Sequence, residues 1–538
     1  MVGLAKAFGS GAMTNSIDDM LDASVIFAIG TNTTEAHPII GFQIKKAVRE
    51  YGAKLIIVDP RRIRLVDFAD VWLQIKPGTN IALLNGIMNV ILGEDLVDHD
   101  FIAQRTEGFE ALKAILPKYT PDAVEKITGV PAEDIRKAAR MYGAADRAII
   151  CYTLGITEHV TGTDNVLAIA NLAMMTGNIG KRGAGVNPLR GQNNVQGACD
   201  MGGLPNVLPG YQRVDDNAAR AKFEKAWGVT LPSKPGLTET DMMEKAASCE
   251  LKAMYIMGEN PMLADPDTHH VEQSLKSLDF LVVQDIFLTE TAQLADVVLP
   301  AASFGEKDGT YTNTERRVQR IRKATEPPGN AKPDWQIISE LSLAMGYPMR
   351  YNSAEEIMEE VGQLTPSFKG ISYARLESGG IQWPCPAEDH PGTPILHTGT
   401  FTRGRGLFHE IEHRSSAEEP DSEYPLMLTT GRNLWHYHTR TMTGKSEGLN
   451  ALAPHNWVEI HPNDAAKLGI VHGDMVAVES RRGRITATAV VTDTILQGLV
   501  SMPFHYADSP ANLLTNRAAD PVSKTPEFKV CAVKIEKA

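Results

Sequence analysis

The stretch Ala23-Ser24-Val25-Ile26-Phe27-Ala28-Ile29-Gly30 decides the fold, because it is a short apolar run that ends in a glycine. A run of this kind predicts a buried strand. Pro38 predicts the first turn of a helix that continues to about Tyr51, and Lys54-Leu55-Ile56-Ile57-Val58 predicts the next strand. This strand–helix–strand order predicts a parallel, doubly wound sheet that binds its ligands at the carboxyl ends of the strands.

Polar residues follow both of these strands. Gly30, Asn32 and Glu35 come after the first strand and Asp59 after the second, so we predict that they bind a nucleotide-type ligand. An acidic side chain after the second strand commonly meets ribose hydroxyls, but no GxGxxG motif is present, and ordinary NAD binding is weakly supported. Arg61 belongs to a basic spot that could meet phosphates or could be solvated surface charge.

Helices and strands continue to alternate after this unit. The loop Lys76–Asn80 precedes an apolar helix, and Asn80 is expected to be its N-cap, with base recognition as the less favoured alternative. His159, taken alone, is more often a structural or surface histidine than a catalytic one. We predict a core helix from about Thr163 to Met175 and a buried strand at Ala148–Leu154.

A second α/β region repeats the pattern of the first. After a polar, lysine-rich stretch at 210–250, interpreted as a helical surface insertion, apolar runs predict three strands at Ala253–Met257, Phe280–Gln284 and Ala295–Pro300. The first two end in polar residues, which predicts a second nucleotide-type site. Its candidate residues are Gly258, Glu259, Asn260, Gln284 and Asp285. Two similar sheets fit a cofactor with two nucleotide tails.

The C-terminal part has a different pattern. From 301 to 423 the alternation of strands and helices is weak. Phe304–Asn313 is expected to be a loop and 384–425 an exposed connection. Alternating β-branched segments joined by glycine-rich turns then predict a small β-barrel-like domain. Two of its loops mix His, Arg, Asn and aromatic residues. His436 and His438 are two residues apart, but no second pair with matching spacing exists, so we predict no zinc or other metal ligand.

Composition limits the class of protein. A chain of 538 residues is too long for one hydrophobic core, and its 43% hydrophobic and 22% charged content is ordinary for a globular protein. The net charge of −13 argues against nucleic acid as a partner. Five dispersed cysteines, without a CxxC motif, predict reduced thiols and a cytoplasmic location. We expect no signal peptide and no transmembrane segment.

The stretch Gly185-Val186-Asn187-Pro188-Leu189-Arg190-Gly191-Gln192-Asn193-Asn194-Val195-Gln196-Gly197-Ala198-Cys199-Asp200-Met201-Gly202 is predicted to be a loop, because it holds four glycines, a proline and three asparagines. Such a segment suits a polar ligand better than a core. Arg190 could hold a small carboxylate through two parallel hydrogen bonds. The alternative is a long structural loop whose arginine bonds its own carbonyl groups.

This run closely resembles the loop of molybdenum- or tungsten-dependent formate dehydrogenases, catalytic (alpha) subunits of the bis-pterin oxidoreductases. The resemblance extends almost from end to end. The Arg190 loop is specific within the superfamily, whereas four other segments mark the superfamily more broadly. These are Ala28–Pro38, Gln284–Phe287, Asp334–Ile338 and Lys524–Phe528.

The resemblance implies an α/β molybdopterin oxidoreductase architecture with two doubly wound domains and a C-terminal β-barrel-like domain. We place a first pterin-binding domain at 1–192, a second at 193–303, an irregular connection and remnant of the cluster-side domain at 304–423, and a pterin-capping domain at 424–538. The implied cofactor is a molybdenum or tungsten bis-molybdopterin guanine dinucleotide. Further residues implied to bind the cofactor are Gly78, Gly191, Gln192, Asn194, Gly431, Arg432, His436, His438, Asn512 and Lys529.

The resemblance also implies the chemistry. Formate would be oxidised to CO2 (or the reverse), and Arg190 would be the catalytic arginine that orients it. The family has a four-cysteine iron–sulfur segment and a selenocysteine or cysteine metal ligand followed by a histidine, and none of these precedes Met1 here. We therefore expect an upstream selenocysteine codon read as a stop, a [4Fe–4S] cluster only with that segment, and no turnover by this chain alone.

Two alternatives stay open. One is another bis-pterin enzyme, such as a nitrate reductase, which would share the sheets but not the Arg190 loop. The other is a non-catalytic scaffold that only pairs with partner subunits. For the formate dehydrogenase, the implied partners are formate or CO2 and an electron-transfer subunit that carries iron–sulfur clusters or flavin.

Overall fold

A computed structural model describes residues 1–538. Its strands are β1 (Val25–Ile29), β2 (Lys54–Val58), β3 (Val71–Leu73), β4 (Thr106–Glu107), β5 (Ala148–Tyr152), β6 (Gly185–Pro188), β7 (Val207–Leu208), β8 (Gln212–Arg213), β9 (Ala253–Met257), β10 (Phe280–Asp285), β11 (Val297–Pro300), β12 (Gly309–Thr312), β13 (Arg317–Ile321), β14 (Ile381–Gln382), β15 (Gly406–Leu407), β16 (Leu426–Gly431), β17 (Trp457–Ile460), β18 (Met475–Glu479), β19 (Arg484–Val491), β20 (Leu499–Pro503) and β21 (Cys531–Lys537).

The α-helices separate these strands. They are α1 (Val2–Phe8), α2 (Thr33–Ala36), α3 (Pro38–Tyr51), α4 (Asn80–Gly93), α5 (His99–Arg105), α6 (Phe109–Ile115), α7 (Pro121–Thr128), α8 (Ala132–Gly143), α9 (Leu154–Thr157), α10 (Gly162–Met175), α11 (Val195–Asp200), α12 (Asn217–Trp227), α13 (Glu239–Ala247), α14 (Pro261–Ala264), α15 (Thr268–Lys276), α16 (Asp334–Ala344), α17 (Ala354–Leu364), α18 (Tyr373–Leu376), α19 (Glu447–Leu452) and α20 (Pro462–Leu468). None combines the length and apolar character needed to cross a membrane.

The chain forms two compact units. The first comprises residues 1–189, 263–268 and 395–538, and the second comprises 190–262 and 269–394. The second unit is therefore inserted into the sequence of the first. The four-part division at 192, 303 and 423 stays a prediction.

The first unit contains a five-stranded parallel sheet in the order β3-β2-β1-β5-β6. The strand order reverses beside β1, as the doubly wound prediction requires. Alternate residues of β1 enter two different cores: Val25, Phe27 and Ile29 pack with residues of α4, α8 and α10, whereas Ile26 and Ala28 pack with residues of α3. Both faces of the sheet are thus covered by helices, as a parallel sheet needs.

The same unit holds a closed six-stranded barrel in the order β16-β20-β17-β19-β18-β21. Its interior is apolar, with Leu428, Val458, Val476, Ala489 and Val500 all buried. Alternation of inward apolar and outward polar residues, clearest along β19, produces this core. The predicted barrel-like domain is confirmed.

The second unit contains the parallel sheet β11-β10-β9, the antiparallel sheet β12-β13-β14 and the hairpin β7-β8. The helical insertion predicted at 210–250 is present as α12 and α13. In the parallel sheet the three strands follow one another in sequence order, so this sheet has no reversal point of its own.

Three local expectations were wrong. The stretch 185–202 is only partly a loop, since Gly185–Pro188 pairs with β5 and Val195–Asp200 is helical. Asn80 is the first helical residue, and Thr79 occupies the N-cap. Gly309–Thr312, expected to be a loop, pairs with β13. For the two strand segments, pairing with another strand supplies backbone hydrogen bonds that local composition does not reveal.

Candidate functional site

A cavity opens at the reversal point of the first sheet. Its floor is formed by the ends of β1 and β5, because Gly155 N–H and Thr153 Oγ1 both donate to the Gly30 carbonyl, at 3.2 and 2.8 Å. Gly30 has φ +56°, and a Cβ atom there would lie 2.7 Å from the Gly155 carbonyl carbon. Only glycine fits this crossing, so the predicted Gly30 is a geometric requirement of the cavity floor.

Asp59 and Arg61, at the end of β2, line one wall. Arg61 donates through Nε and Nη2 to the two oxygens of Glu459 on β17, at 2.9 and 2.8 Å. This fork joins the sheet to the barrel. The Asp59 side chain accepts the Arg61 N–H at 2.9 Å, and burial raises the pKa of Asp59 to about 6.

Lys529, from the chain segment before β21, lines the same cavity. Its Nζ forms an ion pair with Glu158 at 2.7 Å and donates to the Thr430 carbonyl at 3.0 Å. His159 also lines the cavity; its Nε2 bonds the Gly155 carbonyl at 3.0 Å, and burial lowers the pKa of His159 to about 4. A neutral histidine therefore stands beside a paired lysine.

Arg432 follows β16 and lines this cavity and a second, adjoining one. Its guanidinium carbon lies 5.3 Å from the centre of the Phe504 ring, and no carboxylate is paired with it. Burial lowers the pKa of Arg432. A partly buried cation that forms no ion pair, although Glu158 also attracts it, favours an anionic ligand such as a phosphate.

Four neighbouring side chains after β1 carry buried oxygens without a hydrogen-bond partner. These atoms are Thr31 Oγ1, Asn32 Oδ1, Thr33 Oγ1 and Thr34 Oγ1. Buried polar groups are normally satisfied, so such a cluster fits a polar ligand. Glu35 lies just beyond, in the adjoining cavity with Arg61 and Arg432, and burial is the largest influence on its pKa, which is raised.

Eight of the predicted residues line these two cavities: Gly30, Asn32, Glu35, Asp59, Arg61, Gly431, Arg432 and Lys529. Gly78 lies close in sequence to Pro77 and Asn80, which line the cavity. Gly78 has φ +84°, a backbone conformation that favours glycine, and the Ser416 hydroxyl, 2.5 Å from the position of a Cβ atom, would have to move to admit a side chain.

The barrel loops contribute histidines that are engaged within the loops. His436 Nε2 donates to the Ala453 carbonyl at 2.7 Å, and His438 is mostly buried, which lowers the pKa of His438 to about 4. Asn512 donates to the carbonyls of Leu263 and Ala264 at 2.8 and 3.0 Å, while its Oδ1 has no partner. No cluster of His, Cys, Asp or Glu could hold a metal ion.

In the second unit, the predicted residues at the strand ends bond one another or their neighbours. Asn260 accepts from Thr291 N and Oγ1 at 3.2 and 2.7 Å and donates to Glu290 at 2.8 Å. Gln284 is fully buried and donates to Asp334 at 2.7 Å. Both Glu259 and Asp285 have a raised pKa, because burial disfavours their charged forms; that of Glu259 rises to about 7.

Gly258 follows β9 as Gly30 follows β1. It has φ +65°, and its N–H donates to the Gln284 carbonyl at 2.9 Å. No atom lies within 4 Å of the position that a Cβ would occupy there. The two glycines thus have the same backbone conformation, but only Gly30 has other atoms packed closely against it.

Arg190 and its neighbours form a separate group in the second unit. The Arg190 N–H donates to Thr314 Oγ1 at 2.9 Å, and its Nη1 lies 3.5 Å from Cys199 Sγ. Asn194 adopts φ +60° and its Oδ1 accepts the Thr312 N–H at 2.9 Å, which fixes the start of α11 to β12. Gln192 is half-buried and Gly191 is exposed, with open space beside it.

Sequence reasoning did not select several side chains that the structure places at these sites. Glu459, Glu158 and Glu527 pair with or approach cationic groups or histidine from distant segments. Asp200 and Trp383 bond each other beneath the Arg190 loop. Only the three-dimensional contacts reveal these partners, since no local spacing connects them.

Family models match two parts of the chain. The molybdopterin oxidoreductase model matches residues 4–344, and the molybdopterin dinucleotide binding domain model matches residues 426–532. The second match coincides with the barrel, which carries Arg432, and it ends just after Lys529.

Relatives match the whole chain. It is 54% identical to the F420-dependent formate dehydrogenase subunit alpha of Methanocaldococcus jannaschii, over all of this chain and 80% of the relative. It is 44% identical to formate dehydrogenase H of Escherichia coli, over all of this chain and 76% of the relative. Among solved structures, acetylene hydratase from Pelobacter acetylenicus superimposes with a TM-score of 0.78 at 21% identity, covering 100% of this chain and 80% of that one.

Proposed function

The chain belongs to the molybdopterin oxidoreductase family, as a formate dehydrogenase catalytic subunit, and we propose that it oxidises formate to CO2, or catalyses the reverse, at a molybdenum or tungsten bis-molybdopterin guanine dinucleotide centre. The observation that carries this proposal is the 54% identity along the full chain to a subunit named for that activity. The Arg190 loop lies within this aligned length.

The residues of the first unit fit a dinucleotide tail. The unpartnered buried oxygens of Thr31, Asn32, Thr33 and Thr34 offer hydrogen bonds, and the cation of Arg432 offers charge to a phosphate. Gly30, Asp59, Arg61, Gly431 and Lys529 would hold the rest of this tail. Gly258, Glu259, Asn260, Gln284 and Asp285 are proposed to hold the second tail, and Gly78, Gly191, Gln192, Asn194, His436, His438 and Asn512 to complete the site.

When bound, the metal centre supplies the site that accepts two electrons. This chain binds and orients the substrate. Formate carries a single negative charge on two oxygens, which matches the planar fork of Arg190. Oxidation removes two electrons and one proton and releases neutral CO2. Arg190 holds the anion before the reaction and loses its charge partner afterwards, which favours release of the product.

Replacement of Arg190 by lysine tests the substrate role. Lys keeps the charge but not the paired donors, so in the native, metal-loaded enzyme we expect kcat/KM for formate to fall by about 100-fold. Arg213→Lys is the control, because Arg213 is an exposed arginine of the same unit that pairs with Asp215. Unchanged formate kinetics in Arg190→Lys would refute the role, and reduction of nitrate by the wild-type enzyme would favour the nitrate reductase alternative.

Metal content and electron transfer complete the proposal. We propose a cytoplasmic enzyme that passes electrons to a partner subunit bearing iron–sulfur clusters or flavin, and the similar relative named F420-dependent suggests F420 as the final acceptor. The selenocysteine or cysteine ligand and the [4Fe–4S] cluster belong to the same proposal. Analysis of molybdenum, tungsten, iron and selenium in the native protein, with formate-dependent F420 reduction, tests these parts individually.

A further inference from the structure

We propose that Asp200 is a positioning residue for Arg190. Its buried carboxylate fixes the end of α11, and the adjacent Cys199 sulfur then supports the Arg190 guanidinium. The inference rests on the proposed function in one respect, namely that Arg190 binds formate. It assigns a role to a residue that does not itself touch the substrate.

The Asp200 carboxylate joins three segments. Its Oδ1 accepts from Gln196 Nε2 at 2.7 Å and from the Tyr211 hydroxyl at 2.9 Å, and its Oδ2 accepts from the indole N–H of Trp383 at 2.7 Å. Asp200 is fully buried. Charge-assisted hydrogen bonds to a buried carboxylate are stronger than neutral ones, so this residue acts as the fixed point of the segment.

Both the backbone and the side chain of Arg190 have a contact that holds them. The Arg190 backbone is bonded to Thr314, whereas its Nη1 lies 3.5 Å from the Cys199 sulfur. The start of α11 is anchored through Asn194 to β12, and its end is anchored through Asp200. A rotation of this short helix would move the sulfur against which the guanidinium lies.

Electrostatic attraction also links Asp200 to Arg190. The Arg190 cation attracts the Asp200 carboxylate and lowers the pKa of Asp200. The charged and titratable groups that act on this carboxylate are Arg190, Tyr211 and Arg316, and Cys199 and Glu315 act in turn on Tyr211 and Arg316. Burial, the largest effect, raises the pKa of Asp200 to about 6, while its three hydrogen-bond donors oppose that shift.

The stability of the fold and the positioning of Arg190 therefore change with pH in opposite directions. Because the folded pKa lies above the unfolded value, the contribution of Asp200 to stability is present below about pH 4 and is lost as the pH rises through about 6. Ionised Asp200 is the form that accepts all three hydrogen bonds. Positioning of Arg190 is consequently lost as the pH falls through about 6, where the fold gains stability.

The test is Asp200→Asn in the native, metal-loaded enzyme, with formate as the probe. We expect kcat/KM for formate to fall by about tenfold to 100-fold, mainly through a higher KM, because a displaced guanidinium misorients the substrate. We also expect the acidic limb of the wild-type pH profile, near pH 6, to be absent in the variant. Asp216→Asn is the control, because Asp216 is an exposed helix cap in the same unit.

A second variant keeps the inference testable if Asp200→Asn does not fold. Tyr211→Phe removes one donor to the ionised carboxylate but keeps the aromatic ring, so the acidic limb should move to higher pH. Formate kinetics and an acidic limb that are unchanged in either folded variant would overturn the positioning role. If the wild-type enzyme does not oxidise formate at all, the proposed function fails instead, and the two failures are distinct.

Discussion

Similar residues follow the strands of the two parallel sheets, but the hydrogen bonding of those residues differs. Gly30 and Gly258 each follow a strand in the left-handed conformation, and each is followed by polar side chains. After Gly30, four buried oxygens lack partners and a cavity opens. After Gly258, Asn260 is bonded to Thr291 and Glu290. Polar residues at strand ends therefore locate an edge of a sheet, but whether that edge is ready for a ligand depends on the partners that the fold supplies.

The largest expected difference in stability is between alanine substitutions at the two glycines. Gly30→Ala places a Cβ 2.7 Å from Gly155 in an already unfavourable conformation, and we expect a loss of about 3 to 4 kcal/mol in the free energy of unfolding. Gly258→Ala has the same backbone strain but open space, so it should cost about 1 kcal/mol. Chemical denaturation of both variants measures the difference, and equal losses would contradict it.

Alanine at the two asparagines should sharpen the contrast. Asn260→Ala removes the acceptor of the buried Thr291 N–H and hydroxyl, so we expect a loss of about 2 kcal/mol in stability. Asn32→Ala removes an oxygen that has no partner and a hydrogen bond to the partly buried Glu35, and the stability loss should stay below about 1 kcal/mol. Molybdopterin content should fall in Asn32→Ala. A larger loss of stability in Asn32→Ala than in Asn260→Ala would reverse the comparison.

The smallest expected change in stability is at Arg432. Arg432→Gln removes a partly buried cation that forms no ion pair, so the cofactor-free protein should keep its stability within about 1 kcal/mol, while phosphate-dependent binding of the cofactor weakens. Arg62→Gln is the control, because Arg62 is exposed and paired with Asp67. Calorimetry on loaded and cofactor-free protein separates the two effects, and a loaded protein unaffected by Arg432→Gln would argue against a phosphate at this position.

Much of the first sheet could be predicted because local pattern and tertiary structure agree there. The run to Ile29, the proline at the start of α3 and the strand Lys54–Val58 each lie where the sequence predicts them. The reversal of strand order beside β1 follows from the same pattern. Apolar runs bounded by glycine or proline carry enough information for such elements.

The partners of the site residues could not be predicted. The Arg61–Glu459 fork joins positions 398 residues apart, and no spacing rule relates two such residues. The helix α11 was hidden by a glycine- and asparagine-rich composition, because its stability comes from Asp200 and Asn194 bonding to Trp383 and Thr312. Tertiary hydrogen bonds outweigh local propensity in such short elements.

The cavity at the reversal point has a consequence for how the protein is made. Its floor comes from residues between 30 and 155, but its walls also need Glu459, which pairs with Arg61, and Lys529, both of which are made much later. During synthesis the first sheet can form long before its cavity is complete. If the cavity holds a cofactor tail as proposed, its lining is complete only once the chain has been made through position 529.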